Sequence, residues 1–173
     1  VGEVEVFRPL SFAIISTGDE LISVTEPYRD GRVRDTNTTL LSGAIRPFGE
    51  VVYARRIRDD KALFRDTLKE ACDLADVVLL SGGSSVGQKD ATYTTLLEAG
   101  EVLFHGLAVK PGKPTILAKA YGKIAIGLPG HPMAAYMTFS NLFGGAYHRR
   151  TGYNNLKTIT AKAERNFPSA PGK

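Results

Sequence analysis

The sequence predicts an α/β domain whose sheet is mostly parallel and covered by helices on both faces. Three observations carry this. Short apolar runs, among them Phe12 to Ser16, Val51 to Ile57 and Val77 to Leu80, alternate with stretches whose apolar residues recur at helical spacing. Four polar turns (17–20, 58–60, 82–90 and 127–131) come immediately after strand-like runs. In a parallel sheet such turns share the carboxyl edge, where open α/β sheets bind ligands. Finally, LLSGGSSVGQKDAT (79–92) joins a buried strand to a helix through small residues with many exposed backbone N–H groups. Strand, glycine loop and helix N-terminus together suit an anion, although an ordinary tight βα turn has the same look. It is not a P-loop, because Gln88, Lys89 and Asp90 follow Gly87 where Lys-Ser/Thr is needed.

Composition narrows the class. At 173 residues the chain can bury one α/β core, and 43% hydrophobic with 23% charged residues is ordinary for a soluble globular protein. A single cysteine, Cys72, excludes a disulfide framework and a cysteine-built metal site. It follows Leu68 and Ala71 at helical spacing and reads as core rather than nucleophile. No apolar run approaches the roughly 18 residues that span a bilayer, and no signal-peptide pattern opens the chain, so a cytoplasmic location is expected. The net charge of +4 fits an anionic small ligand. No Lys/Arg cluster interleaved with aromatics argues for nucleic acid.

In chain order, residues 1–10 alternate like a short strand and are expected to be an interdomain linker or edge strand, since Val1 suggests a start inside a longer protein. The domain proper is expected over 11–150. After the first strand, Thr17-Gly18-Asp19-Glu20 turns, and 22–34, broken by Pro27 and Gly31, is expected to be an exposed loop. Asp35-Thr36-Asn37 is a helix start, since each side chain can cap a free N–H. Leu40, Leu41, Ala44, Ile45 and Phe48 form that helix's face, Gly49 closes it, and Pro47 threatens its last turn. Strand Val51 to Ile57 leads to Asp59-Asp60, which cap a helix reaching about Leu74 with a face of Leu63, Leu68, Ala71 and Cys72. Beyond the focal loop come a helix from Ala91 to Ala99, an extended run 101–109 and the rigid Lys110-Pro111-Gly112-Lys113-Pro114 bend. Thr115 to Ala118 and Lys123 to Ile126 read as a hairpin about Tyr121-Gly122, and Gly127 to Pro132 opens a helix from Met133 to about His148. Residues 157–165 suit one strand, and 151–173 is expected to be a linker toward a further, β-rich domain.

Several side chains have two readings. Asp90 either caps the helix after the glycine loop or coordinates Mg²⁺ or substrate, oxygen ligands suiting a hard cation. Asp59 and Asp60 compete for one cap, which leaves the other free. Glu20 has no evident capping role. Lys110 and Lys113 are either a solvated bend or, with the carboxylates, part of a mixed-charge pocket for phosphate plus metal. His131 reads as a polar end-capper before a metal ligand, because no second histidine stands at ligand spacing. Serine hydrolase chemistry has no Gly-x-Ser-x-Gly elbow to support it.

Taken together, STGDEL (16–21), DTN (35–37), SGGSSVGQKD (81–90), VKPGKP (109–114) and GLPGHP (127–132) resemble the molybdopterin-binding domain of molybdenum cofactor biosynthesis. Their order is most like the central domain of molybdopterin molybdenumtransferase, the MoeA type, and the matching domain of gephyrin. The resemblance implies a three-layer α/β/α sandwich. It also implies an enzyme that takes adenylylated molybdopterin and molybdate and, assisted by Mg²⁺, yields molybdenum cofactor and AMP. Carried over residue by residue, it makes Glu20, Asp59, Asp90 and Lys110 catalytic, the three carboxylates also holding Mg²⁺. Substrate would meet Thr17, Gly18 and Asp19 in the first turn, and Ser81, Gly82, Gly83, Ser84, Ser85 and Gly87 in the loop. It would also meet Pro111, Gly112 and Lys113 in the bend, and Pro129, Gly130 and His131 in the last turn. The family further implies a homodimer and contact with molybdopterin adenylyltransferase, with other domains completing the site, so this segment alone is expected to be inactive.

Two positions depart from the family pattern. Gly106 stands where a basic residue is frequent, and His131 where GLPGNP has asparagine. The alternatives are a molybdopterin adenylyltransferase, disfavoured by the flanking segments, and a non-catalytic pterin or nucleotide-binding module.

Overall fold

The computed structural model describes residues 2–82, 89–152 and 159–166. Along the chain run β1 (Leu10–Thr17), β2 (Leu21–Ile22), β3 (Val33–Arg34), α1 (Thr36–Ile45), β4 (Gly49–Ile57), α2 (Lys61–Leu74) and β5 (Val77–Gly82). There follow α3 (Lys89–Ala99), β6 (Gly100–His105), β7 (Ile116–Ala120), β8 (Lys123–Leu128), α4 (Pro132–Phe139), a π-helical turn (Ser140–Gly144) and α5 (Gly145–Thr151).

Side-chain alternation sorts the core into two halves, one on each face of the sheet. Phe12 and Ile14 of β1, with Val77 and Leu79 of β5, pack against Leu41, Ile45, Ala135 and Phe139 from α1 and α4. Their neighbours Ala13, Ile15, Val78 and Leu80 pack against Phe64, Leu68, Ala71, Cys72 and Leu96 from α2 and α3. Both faces are therefore covered, as the α/β/α expectation requires. The first half is aromatic: Phe139 stacks on Phe143 at 5.3 Å, and Phe12 and Phe48 meet these rings edge-on at 5.3–6.2 Å.

The six-stranded sheet has the order β4-β1-β5-β8-β7-β6. β4, β1, β5 and β8 are mutually parallel, and β7 reverses against β8. β6 reverses again against β7, so it points the same way as β8. Consequently the ends of β1, β4, β5, β6 and β8, and the 106–115 segment joining β6 to β7, all lie at one carboxyl edge. Among the described residues no helix is long and apolar enough to cross a membrane.

Several elements differ from the sequence expectation. The 22–34 loop contains β3 and the end of β2, two-residue strands paired in parallel as Leu21 with Val33 and Ile22 with Arg34. α1 stops at Ile45, one turn short of Gly49, with Pro47 just beyond it. Gly49 instead starts β4, where a Cβ would lie 1.8 Å from the Leu10 carbonyl oxygen, so only glycine allows the approach. α3 begins at Lys89, before Ala91. The strand after Gly100 ends at His105, because Gly106 turns with φ +98°. The π-helical turn divides the expected helix 133–148. Residues 2–9 and 159–166 carry no strand.

Candidate functional site

A cavity of about 380 Å³ opens at the carboxyl edge. Thr17 and Gly82, facing partners at the ends of β1 and β5, form its base. Gly82 has φ +106°, and a Cβ there would lie 2.2 Å from the Thr17 carbonyl oxygen, so the two strands close up only over glycine. Glu20, Leu21, Val33 and Arg34 wall one side, Asp59 comes from the β4–α2 turn, and Gly130 and Pro132 from the β8–α4 turn. The N-terminus of α1 enters with Asp35, Thr36 and Asn37. All four post-strand turns thus line one hollow through described residues, the 82–90 turn through Gly82 alone.

Carboxylates and one guanidinium define the rim. The Asp19 and Asp59 carboxylates each accept from the other's backbone N–H, at 3.2 and 3.4 Å, tying the 17–20 turn to the 58–60 turn. Asp60 caps α2 by accepting from Leu63 N at 2.8 Å. That leaves Asp59 for the cavity. The Glu20 carboxylate folds over Gly18, where a Cβ would come within 2.7 Å of its Oε2. Arg32 donates to the Asp19 carbonyl and Arg34 to the Val24 carbonyl, and Arg34 lines the hollow. Among the described residues no three His, Cys, Asp or Glu side chains form a metal cage. Glu20 and Asp59 are nevertheless oxygen donors on one rim, and Mg²⁺ commonly takes one or two carboxylates plus substrate phosphates. The donor set fits Mg²⁺ on those terms.

The floor holds a neutral amide. Asn37 is 7% exposed, and its Nδ2 donates to Ser81 Oγ and to the Gly130 carbonyl, both at 2.7 Å. One amide thereby joins α1, β5 and the β8–α4 turn. Beside it, Asp35 caps α1 through Thr38 N at 3.1 Å and accepts from Thr38 Oγ1, which also meets Ser16 Oγ at 3.0 Å.

Residues 13–148 match the family described as "Probable molybdopterin binding domain". The chain belongs to this family. It is similar to the molybdopterin molybdenumtransferase of Haemophilus influenzae, 34% identical over 177 residues, covering 100% of this chain and 44% of that protein. It is similar also to the enzyme of that name in Staphylococcus aureus, 36% identical over 141 residues, covering 79% of this chain and 33% of that one. A molybdopterin biosynthesis MoeA protein from Pyrococcus horikoshii superposes with a TM-score of 0.76 at 36% identity, over 85% of this chain and 37% of that chain. The chain therefore spans under half the length of these relatives. The tungsten cofactor synthesizing protein MoaB of Pyrococcus furiosus, 20% identical with a TM-score of 0.56 over 84% of this chain and 99% of that one, shares the fold.

Within this molybdopterin-binding domain, Thr17, Glu20, Asp59, Ser81, Gly82 and Gly130 of the expected site residues line the cavity, with Gly18 and Asp19 in the turn beside them. Lys110 and Pro111 do not. They line a second hollow of about 440 Å³ with Leu107, Val109, Met137 and Thr138, at the same sheet edge. There Gly112, at φ +118°, packs on Thr138, whose Oγ1 would lie 2.5 Å from a Cβ, and the Lys113 carbonyl accepts from Leu107 N at 2.9 Å. His131 is exposed at the N-cap of α4 but makes no side-chain cap bond, against the capping expectation. Its backbone carbonyl alone serves the helix, accepting from Ala135 N at 2.9 Å, with Pro129 and Gly130 preceding it. Gly83, Ser84, Ser85 and Gly87 lie outside the described residues. So does the side chain of Asp90, whose backbone is in the first turn of α3.

Sequence reasoning missed Arg34, read as exposed loop, and the role of Asn37, read as a cap. A signal for Asn37 existed: it heads the buried stripe Asn37, Leu41, Ile45, and a polar side chain on a buried face needs partners.

Proposed function

We propose that this domain holds adenylylated molybdopterin at the carboxyl edge of its sheet and takes part in molybdenum cofactor biosynthesis, at the step that inserts molybdate and releases AMP. The supporting observation is the cavity itself, built by post-strand turns of a molybdopterin-binding family member, with charge on the rim and a neutral amide in the floor. Backbone N–H groups at the start of α1 and the Arg34 guanidinium suit a phosphate. In this reading Glu20 and Asp59, joined by Asp90, hold Mg²⁺, which when bound neutralises phosphate charge as a Lewis acid. Asp19 positions Asp59 through the reciprocal backbone bonds. Lys110, on the same edge, offsets anionic charge from the neighbouring hollow, and Gly82 leaves the backbone open to close approach. The bond to be broken is the phosphoanhydride: a water oxygen bonds to the molybdopterin phosphorus, its proton passing to solvent, as AMP leaves with the bridging oxygen, and positioned positive groups are what such a departure needs. The homodimer, the contact with adenylyltransferase and the help of further domains belong to the same proposal.

The test is a titration of molybdopterin and its adenylylated form, with and without Mg²⁺, against wild type, Asp59→Asn and Asp90→Asn. A Mg²⁺-dependent preference for the adenylylated form, lost in both variants, supports the reading. Equal binding of both forms, indifferent to Mg²⁺ and to both substitutions, would replace it with a non-catalytic binding module.

A further inference from the structure

A residue that lines the floor of the cavity carries a buried acceptor without a donor. Both hydrogens of the Asn37 amide are used, one on Ser81 Oγ and one on the Gly130 carbonyl. The Gly130 carbonyl can only accept, so it fixes which end of the amide faces it. Oδ1 is then left buried and unpartnered in a residue that lines the hollow. Ser81, 2% exposed beside it, accepts from Asn37 and retains its own hydroxyl hydrogen. A buried acceptor left open is costly, and native proteins rarely leave one so. At this spot an anion's oxygen would only add repulsion. What the pair lacks is a ligand edge that donates to Asn37 and accepts from Ser81.

We propose that Asn37 Oδ1 and Ser81 Oγ–H form a neutral acceptor–donor pair that reads a cyclic amide, Oδ1 accepting from the ring N–H and Ser81 donating to the adjacent ring carbonyl. The inference rests on the pterin reading above and deepens it. It gives the ring a place on the floor, while the charged rim of Glu20, Asp59 and Arg34 takes phosphate and metal. A pterin carries that N–H and carbonyl side by side. A 2,4-diaminopteridine carries the reverse, a bare ring nitrogen beside an amino group, and so sets acceptor against acceptor and donor against donor. Asn37 and Ser81 are thereby specificity-determining residues.

The test uses the protein in its full length, with pterin and 2,4-diaminopteridine as fluorescent probes and molybdopterin as the reference ligand. Wild type should bind pterin at least about tenfold tighter than the diamino compound, the size expected when a buried polar group is left unpaired. Asn37→Ala and Ser81→Ala should bring that ratio to within about twofold. A merely structural role would weaken both probes together and leave the ratio unchanged. Equal binding of the two probes by wild type, which needs no variant to fold, or a ratio that survives in both variants, overturns the floor assignment while molybdopterin binding still stands. Failure of wild type to bind either molybdopterin or pterin overturns this inference together with the function it rests on.

Discussion

Asp76, at the opposite end of the sheet from the cavity, should be a strong electrostatic anchor. Its carboxylate accepts from Ser11 N at 3.0 Å, from Ser11 Oγ at 2.9 Å, and from both terminal nitrogens of Arg8 at 2.8 and 2.7 Å. Ser11 returns the contact, its Oγ and carbonyl accepting from Asp76 N at 3.0 and 2.9 Å. These bonds join the start of β1 to the start of β5. The Asp76 side chain is 20% exposed and that of Arg8 71%. Solvent therefore screens the ion pair, and the bonds from Ser11 carry most of the stabilisation. A backbone N–H donating to a partly buried carboxylate is worth about 1.5–3 kcal/mol. Asp76→Ala should then cost about 2 kcal/mol, or about 4–8 °C in Tm for a chain of this size, and Arg8→Ala clearly less. The Arg8 guanidinium and then the Ser11 N–H hold the Asp76 carboxyl well below the usual carboxylate range. The unfolded chain therefore takes up the proton first as pH falls. The stabilisation is full above the unfolded value of about 4 and is lost as pH drops further toward the folded one. Thermal melts followed by circular dichroism at pH 7 and at about pH 3 would measure both effects. A gap between wild type and Asp76→Ala that does not shrink at the lower pH would refute the linkage. An Arg8→Ala loss as large as that of Asp76→Ala would move the energy into the exposed pair.

Gly82→Ala should cost more than about 3 kcal/mol, because it adds left-handed strain to a 2.2 Å approach to the Thr17 carbonyl oxygen in the middle of the sheet. A melt within about 2 °C of wild type would contradict this. Cys72 is 2% exposed, and burial, reinforced by Asp73, pushes its thiol up to about 11. Iodoacetamide at pH 8 should leave it unmodified in the folded protein and label it fully in denaturant, read by mass. Labelling of the folded chain would show that the α2 side of the core opens.

The parts of this domain that could be read in advance are those where one physical signal dominates. Apolar runs such as Val77 to Leu80 announced buried strands, and polar turns after them announced the edge where the cavity opens. β2 and β3 escaped, since two residues are too few to show a period. The π-helical turn escaped because Phe139, Phe143 and Tyr147 keep a four-residue spacing through it, as a continuous helix would. The end of α1 was misjudged because Phe48 does join the buried stripe, yet from the turn beyond Pro47 rather than from the helix. At the site, carboxylates were legible one by one as chemistry. Asn37 was not, since its partners Ser81 and Gly130 lie 44 and 93 residues away and only the fold brings them together. Lys110 shows the converse: residues at one edge of a sheet need not share a cavity.

The pairing of β2 with β3 has a practical outcome. Val33 N bonds the Glu20 carbonyl and Asp35 N bonds the Ile22 carbonyl, both at 2.9 Å, so the excursion 23–32 leaves and returns through a closed neck. Glu20 and Arg34 stand at that neck, whereas Tyr28 to Gly31 are exposed at the far end. Because the ends of the excursion are already clamped, doubling its length would add only about 0.6 kcal/mol of closure entropy. Its tip is therefore a place to splice in a dye-binding tag or an epitope beside the cavity, a handle that can be lengthened or exchanged while the cup keeps its shape.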